Sequence, residues 1–254
     1  MDITIISKKA DRLEFLLEGT TPAFANAMRR IMVAEIPVLS VDEVDFHDNT
    51  SALYDEVLAQ RLGLIPIVFD PKDFNLTSEC SCKGKGCSNC EAVFIIEKKG
   101  PCTVYSGDMK AANKGTKPTD PRFPIVQLLE KQALKLEAKA RLGLGVRHAK
   151  HQAAIASYQY YPVVRKAKDG EKYERCPDGL LNTKGAKPAI ADVTKADLEG
   201  GKCMADGYVV EMDGSKFQFR VETVSGLAPE DIVTLAAKVL EARADEFAKQ
   251  AKAL

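Results

Sequence analysis

Four cysteines crowd into eleven residues: Cys80, Cys82, Cys87 and Cys90, spaced C-x-C-x4-C-x2-C with Gly84 and Gly86 between them. Four thiolates on so short a loop can wrap one tetrahedral ion, and the glycines allow the tight backbone this needs. Zinc suits such a set, and one ion is expected. The other reading is free or paired thiols in a loop that holds no metal. A four-cysteine zinc site has no open position for substrate, so it would stabilise the fold and perform no chemistry. Three more cysteines, Cys102, Cys176 and Cys203, make the total odd. Crowded cysteines in an odd set suit metal ligation in a reducing compartment better than a secreted disulfide framework. Cys102 has no evident partner and reads as a buried thiol.

Other chemistry is hard to find. Arg147, His148, Lys150 and His151 in GVRHAKHQ could be read as metal or catalytic groups. No acidic or nucleophilic residue stands near them in sequence, so solvated or subunit-contacting roles fit better. There is no phosphate loop of Walker type, no nucleophile elbow and no aspartate-rich magnesium motif. The 254 residues balance 36 basic against 36 acidic side chains. Zero net charge argues against a chain-wide attraction to nucleic acid, and no direct sequence-specific binding to it is expected. No apolar run approaches the length of a membrane span, and the first twelve residues lack a signal peptide's apolar core. A cytoplasmic chain is expected.

The elements that would position these residues follow from periodicity. Residues 2–18 alternate as a hairpin, with the turn at Lys8 to Asp11. A helix then starts at Pro22, capped by Thr21. Phe24, Ala27, Met28, Ile31 and Met32 make its apolar face, while Asn26, Arg29 and Arg30 share another. Pro37 stops it. Val38 to Phe46 reads as a strand, acidic on one side. Thr50 or Ser51 is expected to cap a second helix, with Leu53, Val57, Leu58 and Leu62 on its apolar side and Gly63 at its end. FQFRVETV, from Phe217, is a strand. A last helix from Pro229 carries Ile232, Leu235, Ala236, Val239 and Leu240 as a stripe that Phe247 extends. Residues 124–145 favour helix by propensity, yet Leu134, Leu136, Ala138 and Ala140 alternate with charged residues. Ile155 to Val164 is another strand, and 166–172 and 182–187 are polar loops.

The N-x-x-R-R helix (Asn26, Arg29, Arg30), the A-E-I-P that follows (Ala34 to Pro37) and R-L-G-L-I-P (Arg61 to Pro66) occur in one order over more than forty residues. This pattern resembles the D-type subunit of archaeal RNA polymerase, counterpart of the third-largest subunit of eukaryotic RNA polymerase II and, more distantly, of the bacterial alpha subunit. The resemblance implies an α+β fold. In it, residues 1–45 and 215–254 form a discontinuous dimerisation domain. A mainly-β domain with the cysteine knuckle is inserted over 46–165, which makes residues 124–145 strands. A comparable knuckle binds zinc in the eukaryotic counterpart, with a spacing one residue shorter.

The implied role is non-catalytic. Pairing with the L subunit would give an alpha-like heterodimer that nucleates assembly of the largest and second-largest polymerase subunits, with the small N and P subunits joining it. Phe24, Met28, Arg29, Arg30, Ile31, Arg61, Ile232, Leu235 and Val239 are the expected partner surface.

Some members of this family carry a ferredoxin-like insert that binds iron–sulfur clusters. Cys176-Pro177 is similar to the end of such a motif, and Cys203-Met-Ala-Asp206 has aspartate where a second cysteine would stand. Two cysteines are too few for a four-cysteine cluster. Residues 166–214 therefore read as a shortened, degenerate version of that insert. Whether Cys176 and Cys203 are remnants of a cluster site or a disulfide pair is left open without geometry. The competing function is a free-standing metal or iron–sulfur electron-transfer protein.

Overall fold

A computed structural model describes residues 1–112, 114–182, 188–196 and 201–252. Most of the polar loop expected at 182–187 lies outside them. The architecture is α+β: mostly strands, with three α-helices among the described residues, α1 (Pro22–Ala34), α2 (Asp55–Gly63) and α3 (Pro229–Ala251). The chain divides into two compact units, Met1–Arg29 with Ser157–Arg220, and Arg30–Ala156 with Val221–Leu254.

The first unit is organised on a five-stranded sheet. The strands Asp2–Lys8, Arg12–Glu18, Tyr208–Thr223 and Ala154–Lys166 lie side by side in that order, and Lys202–Ala205 pairs with the third of them. Alternation explains which face is buried. Leu13, Phe15 and Leu17 are buried at every second position, as are Phe217 and Phe219. Phe15 stacks on Phe219 with ring centroids 5.0 Å apart, and Tyr158 meets Phe217 edge-on at 5.6 Å. The strand read from Phe217 starts nine residues earlier, at Tyr208. Its first part forms a hairpin with Lys202–Ala205 around the tight turn at Asp206 and Gly207, both at positive φ. A small separate core of Cys176, Leu180, Ala196, Cys203 and Val210 lies within the same unit.

The second unit holds a four-stranded sheet in the order Val38–Asn49, Ala133–Gly143, Glu91–Lys99, Lys110–Ala111. The alternation of Leu134, Leu136, Ala138 and Ala140 wins over helical propensity, because all four are buried between two antiparallel neighbours. Leu58 and Leu62 seat α2, and Ser40 Oγ donates to the Gly63 carbonyl at 2.6 Å where that helix ends.

The expected cap of α2 is corrected. The helix begins at Asp55 behind Tyr54, with no side-chain cap. Ser51 is held by Asn49 Oδ1, which accepts from both its backbone N–H and its hydroxyl. Thr50 Oγ1 accepts from Ala133 N at 2.7 Å. Ser51 is thus committed to a local turn that competes with helix capping, and Thr50 to a bond with Ala133, 83 residues away. Thr21 does cap α1, accepting from Phe24 N at 3.3 Å.

Candidate functional site

The cysteine loop is gathered by its own backbone. Asn75 N donates to Asn89 O at 2.7 Å, closing the base of the loop. Lys83 N donates to Cys80 O, and Cys90 N and Glu91 N both donate to Cys87 O. Gly84 and Gly86 take left-handed φ values of 80° and 86°, which favour glycine, and Lys83 joins them at 54°. The result brings four sulfurs together. Cys80 Sγ lies 3.5 Å from Cys87 Sγ, Cys82 Sγ 3.6 Å from Cys90 Sγ, and Cys87 Sγ 3.8 Å from Cys90 Sγ. All four lie within 4.8 Å of one another. Tetrahedral zinc with bonds of about 2.3 Å places sulfurs about 3.8 Å apart, so the donor set fits such an ion.

The thiols do not ionise alike. A hydrogen bond from Cys80 holds Cys82 down to about 6, while burial pushes Cys90 up to about 12. Four thiolates at this spacing need a cation among them, and a coordinated thiol loses its proton outright. The four cysteines can therefore hold a metal ion.

Beside the knuckle runs a seam of charge. Arg141, on the middle of the sheet, donates from Nε to Glu91 at 2.6 Å and forks onto both oxygens of Glu43 at 2.9 and 3.1 Å. Lys150 reaches Asp42 at 2.8 Å and the Val41 carbonyl at 3.0 Å. The Lys150 hydrogen bond holds the Asp42 carboxyl below its ordinary range. His151 is buried, its Nδ1 2.9 Å from the Val38 carbonyl, and burial lowers its pKa. Lys150 and His151 are thus fixed within the chain, whereas Arg147 and His148 are exposed. Sequence spacing alone hides this, since the partners lie more than a hundred residues away.

The expected partner residues divide in the same way. Met28 and Ile31 keep only 8% and 2% of their surface exposed, and Ile232 keeps none. Their side chains are committed to the chain's own core. Phe24, Leu235 and Val239 are half-buried. Arg29 is tied to Asn26 Oδ1 at 2.9 Å, while Arg30 is exposed and has no polar partner among the described residues. Arg61 donates to the Ile125 carbonyl at 2.7 Å. Cys102, expected to be buried, is half-exposed, with its sulfur 3.5 Å from the Lys99 carbonyl. It sits at the start of a short strand, Cys102–Tyr105, whose buried side chain is Val104 instead. Cys176 and Cys203 are joined in a disulfide inside the small core of the first unit.

A family described as the RNA polymerase Rpb3/RpoA insert domain matches residues 44–163, the stretch that carries the knuckle and most of the four-stranded sheet. Over the whole chain, similarity is to proteins called DNA-directed RNA polymerase subunit Rpo3. The protein from Methanosphaera stadtmanae is 36% identical, covering 97% of each chain. The one from Pyrococcus furiosus is 34% identical, covering 100% of this chain and 98% of its own. The chain belongs to the archaeal Rpo3 family of RNA polymerase subunits. A third Rpo3, from Archaeoglobus fulgidus, is 35% identical over 98% of this chain. No helix among the described residues is long and apolar enough to cross a membrane.

Proposed function

We propose that this chain is the D-type form of Rpo3, the non-catalytic half of an alpha-like heterodimer with the L subunit, acting in the cytoplasm. The heterodimer recruits the largest and second-largest polymerase subunits, and the small N and P subunits bind it. Residues 1–45 and 215–254 serve as the dimerisation domain in this reading, 46–165 as the inserted domain, and 166–214 as the reduced insert.

The observation that carries the pairing is α3. Ile232 and Ala236 fix its first half, but Leu235, Val239 and Leu240 are only half-covered, and every described side chain from 241 to 251 is exposed. Phe247 stands in that exposed stretch at 75%. An apolar stripe left open on a long helix supports a partner helix face of the same character. The test is co-expression with the L subunit and a mass measurement by light scattering after size exclusion. A one-to-one complex supports the reading; two separate monomers refute it.

The metal in the knuckle is read as one zinc ion, held by Cys80, Cys82, Cys87 and Cys90. When bound it supplies cross-linking of the loop, with no chemistry on a substrate.

A further inference from the structure

We infer that Glu91 and Arg141 form a clamp that holds the cysteine knuckle in its metal-binding shape, which makes both of them positioning residues for the metal. The inference rests on the reading of the four cysteines as a metal site.

Glu91 follows the ligand Cys90 directly, and its N–H donates to the carbonyl of the ligand Cys87 at 2.9 Å. Its side chain folds back under the loop. A Cβ built on Gly86 would lie 2.4 Å from one Glu91 carboxylate oxygen and 2.8 Å from the other. The carboxylate therefore occupies the space that only glycine leaves open, and it braces the turn between Cys82 and Cys87. Only 13% of the Glu91 side chain is exposed. A carboxylate so covered needs a cation. Arg141 supplies it at 2.6 Å.

Arg141 is itself anchored. It stands directly across from Glu91 in the strand register and forks onto Glu43 of the strand on its other side. The guanidinium thus ties three strands to the underside of the knuckle. Removing Arg141 alone would leave a covered carboxylate without its guanidinium, and removing Glu91 alone would release the turn at Gly86. Outer-shell partners of this kind are typically worth ~10–100-fold in metal affinity.

The experiment is zinc competition against a chromogenic chelator on the full-length chain, for wild type, Glu91→Gln, Arg141→Gln and the double variant. Each single variant should bind zinc about tenfold more weakly. The double variant should lose no more than about the larger single loss, because the two groups act as one unit. Arg141→Lys, which keeps the charge and a donor, should recover part of the affinity. If wild type binds zinc and Glu91→Gln binds it within about twofold of wild type, the clamp is overturned and the metal site stands. Losses that multiply in the double variant also overturn it. If wild type takes up no zinc, the metal reading fails and the clamp fails with it. A role confined to strand packing would lower the melting point of the metal-free and loaded forms equally and leave zinc affinity unchanged, which overturns the clamp as well.

Discussion

Truncating Phe247 to alanine removes the largest uncovered side chain on α3 and separates a partner contact from a fold contact. In the isolated chain Phe247 is 75% exposed. Its loss should therefore change the chain's own stability by no more than about 0.5 kcal/mol. If the L subunit covers it, the ring passes from water into an apolar interface, which is worth about 1.5–3 kcal/mol. At ~1.4 kcal/mol per decade, Phe247→Ala should then weaken the heterodimer by roughly 10- to 100-fold. The comparison variant is Ile232→Ala on the same helix. Ile232 is fully buried within the chain. Its truncation should cost about 2–5 kcal/mol of folding stability by leaving a cavity. Chemical unfolding of the single chain and titration calorimetry with the purified L subunit measure the two quantities separately. An unchanged dissociation constant for Phe247→Ala, with the heterodimer otherwise formed, would refute the assignment of α3's open stripe to that interface. Met28 and Ile31 are poor probes of the same question, because both are already buried and a charge there would disrupt the fold first.

Replacing Cys87 and Cys90 with serine should abolish bound zinc by elemental analysis while the two sheets stay folded; iron and inorganic sulfide at these cysteines in wild type would show that zinc is the wrong ion. Arg30→Ala should keep the heterodimer but weaken recruitment of the second-largest subunit by ~2–5 kcal/mol, since a guanidinium partner would be left unpaired; undiminished pull-down by the Arg29→Ala, Arg30→Ala double variant sinks that role. His151 has a pKa lowered by burial from its ordinary 6.5, so the unfolded chain binds the extra proton first. Its contribution to stability is complete above pH 6.5 and is lost as pH falls from there through the folded value. Unfolding midpoints measured from about pH 7.5 to about pH 5 should decline in wild type, and His151→Gln should flatten that slope; an equal slope in both would exclude His151 as the cause.

Much of this molecule is legible without coordinates, because local spacing governs it. The C-x-C-x4-C-x2-C run brings its sulfurs together through backbone bonds within the loop and to its immediate flanks, and the glycines that permit it are written between them. Thr21 and Pro22 mark the start of α1, and Pro229 that of α3, for equally local reasons. Alternation at 134–140 foretells a strand, although propensity points the other way until its buried neighbours are known.

The rest depends on partners distant along the chain. Arg141 meets Glu91 and Glu43 across 50 and 98 residues, and Lys150 meets Asp42 across 108. Cys176 and Cys203 pair across 27 residues, around a core whose members sequence spacing does not reveal. Thr50 has the chemistry of a cap and serves the Ala133 turn instead, 83 residues on. Met28, Ile31 and Ile232 share stripes with Phe24, Leu235 and Val239, and periodicity cannot divide one stripe into buried and open members. Burial is set by what packs from elsewhere in the chain. Local spacing therefore determined the elements and the sulfur donor set, and tertiary packing decided which side chains remain open to a partner.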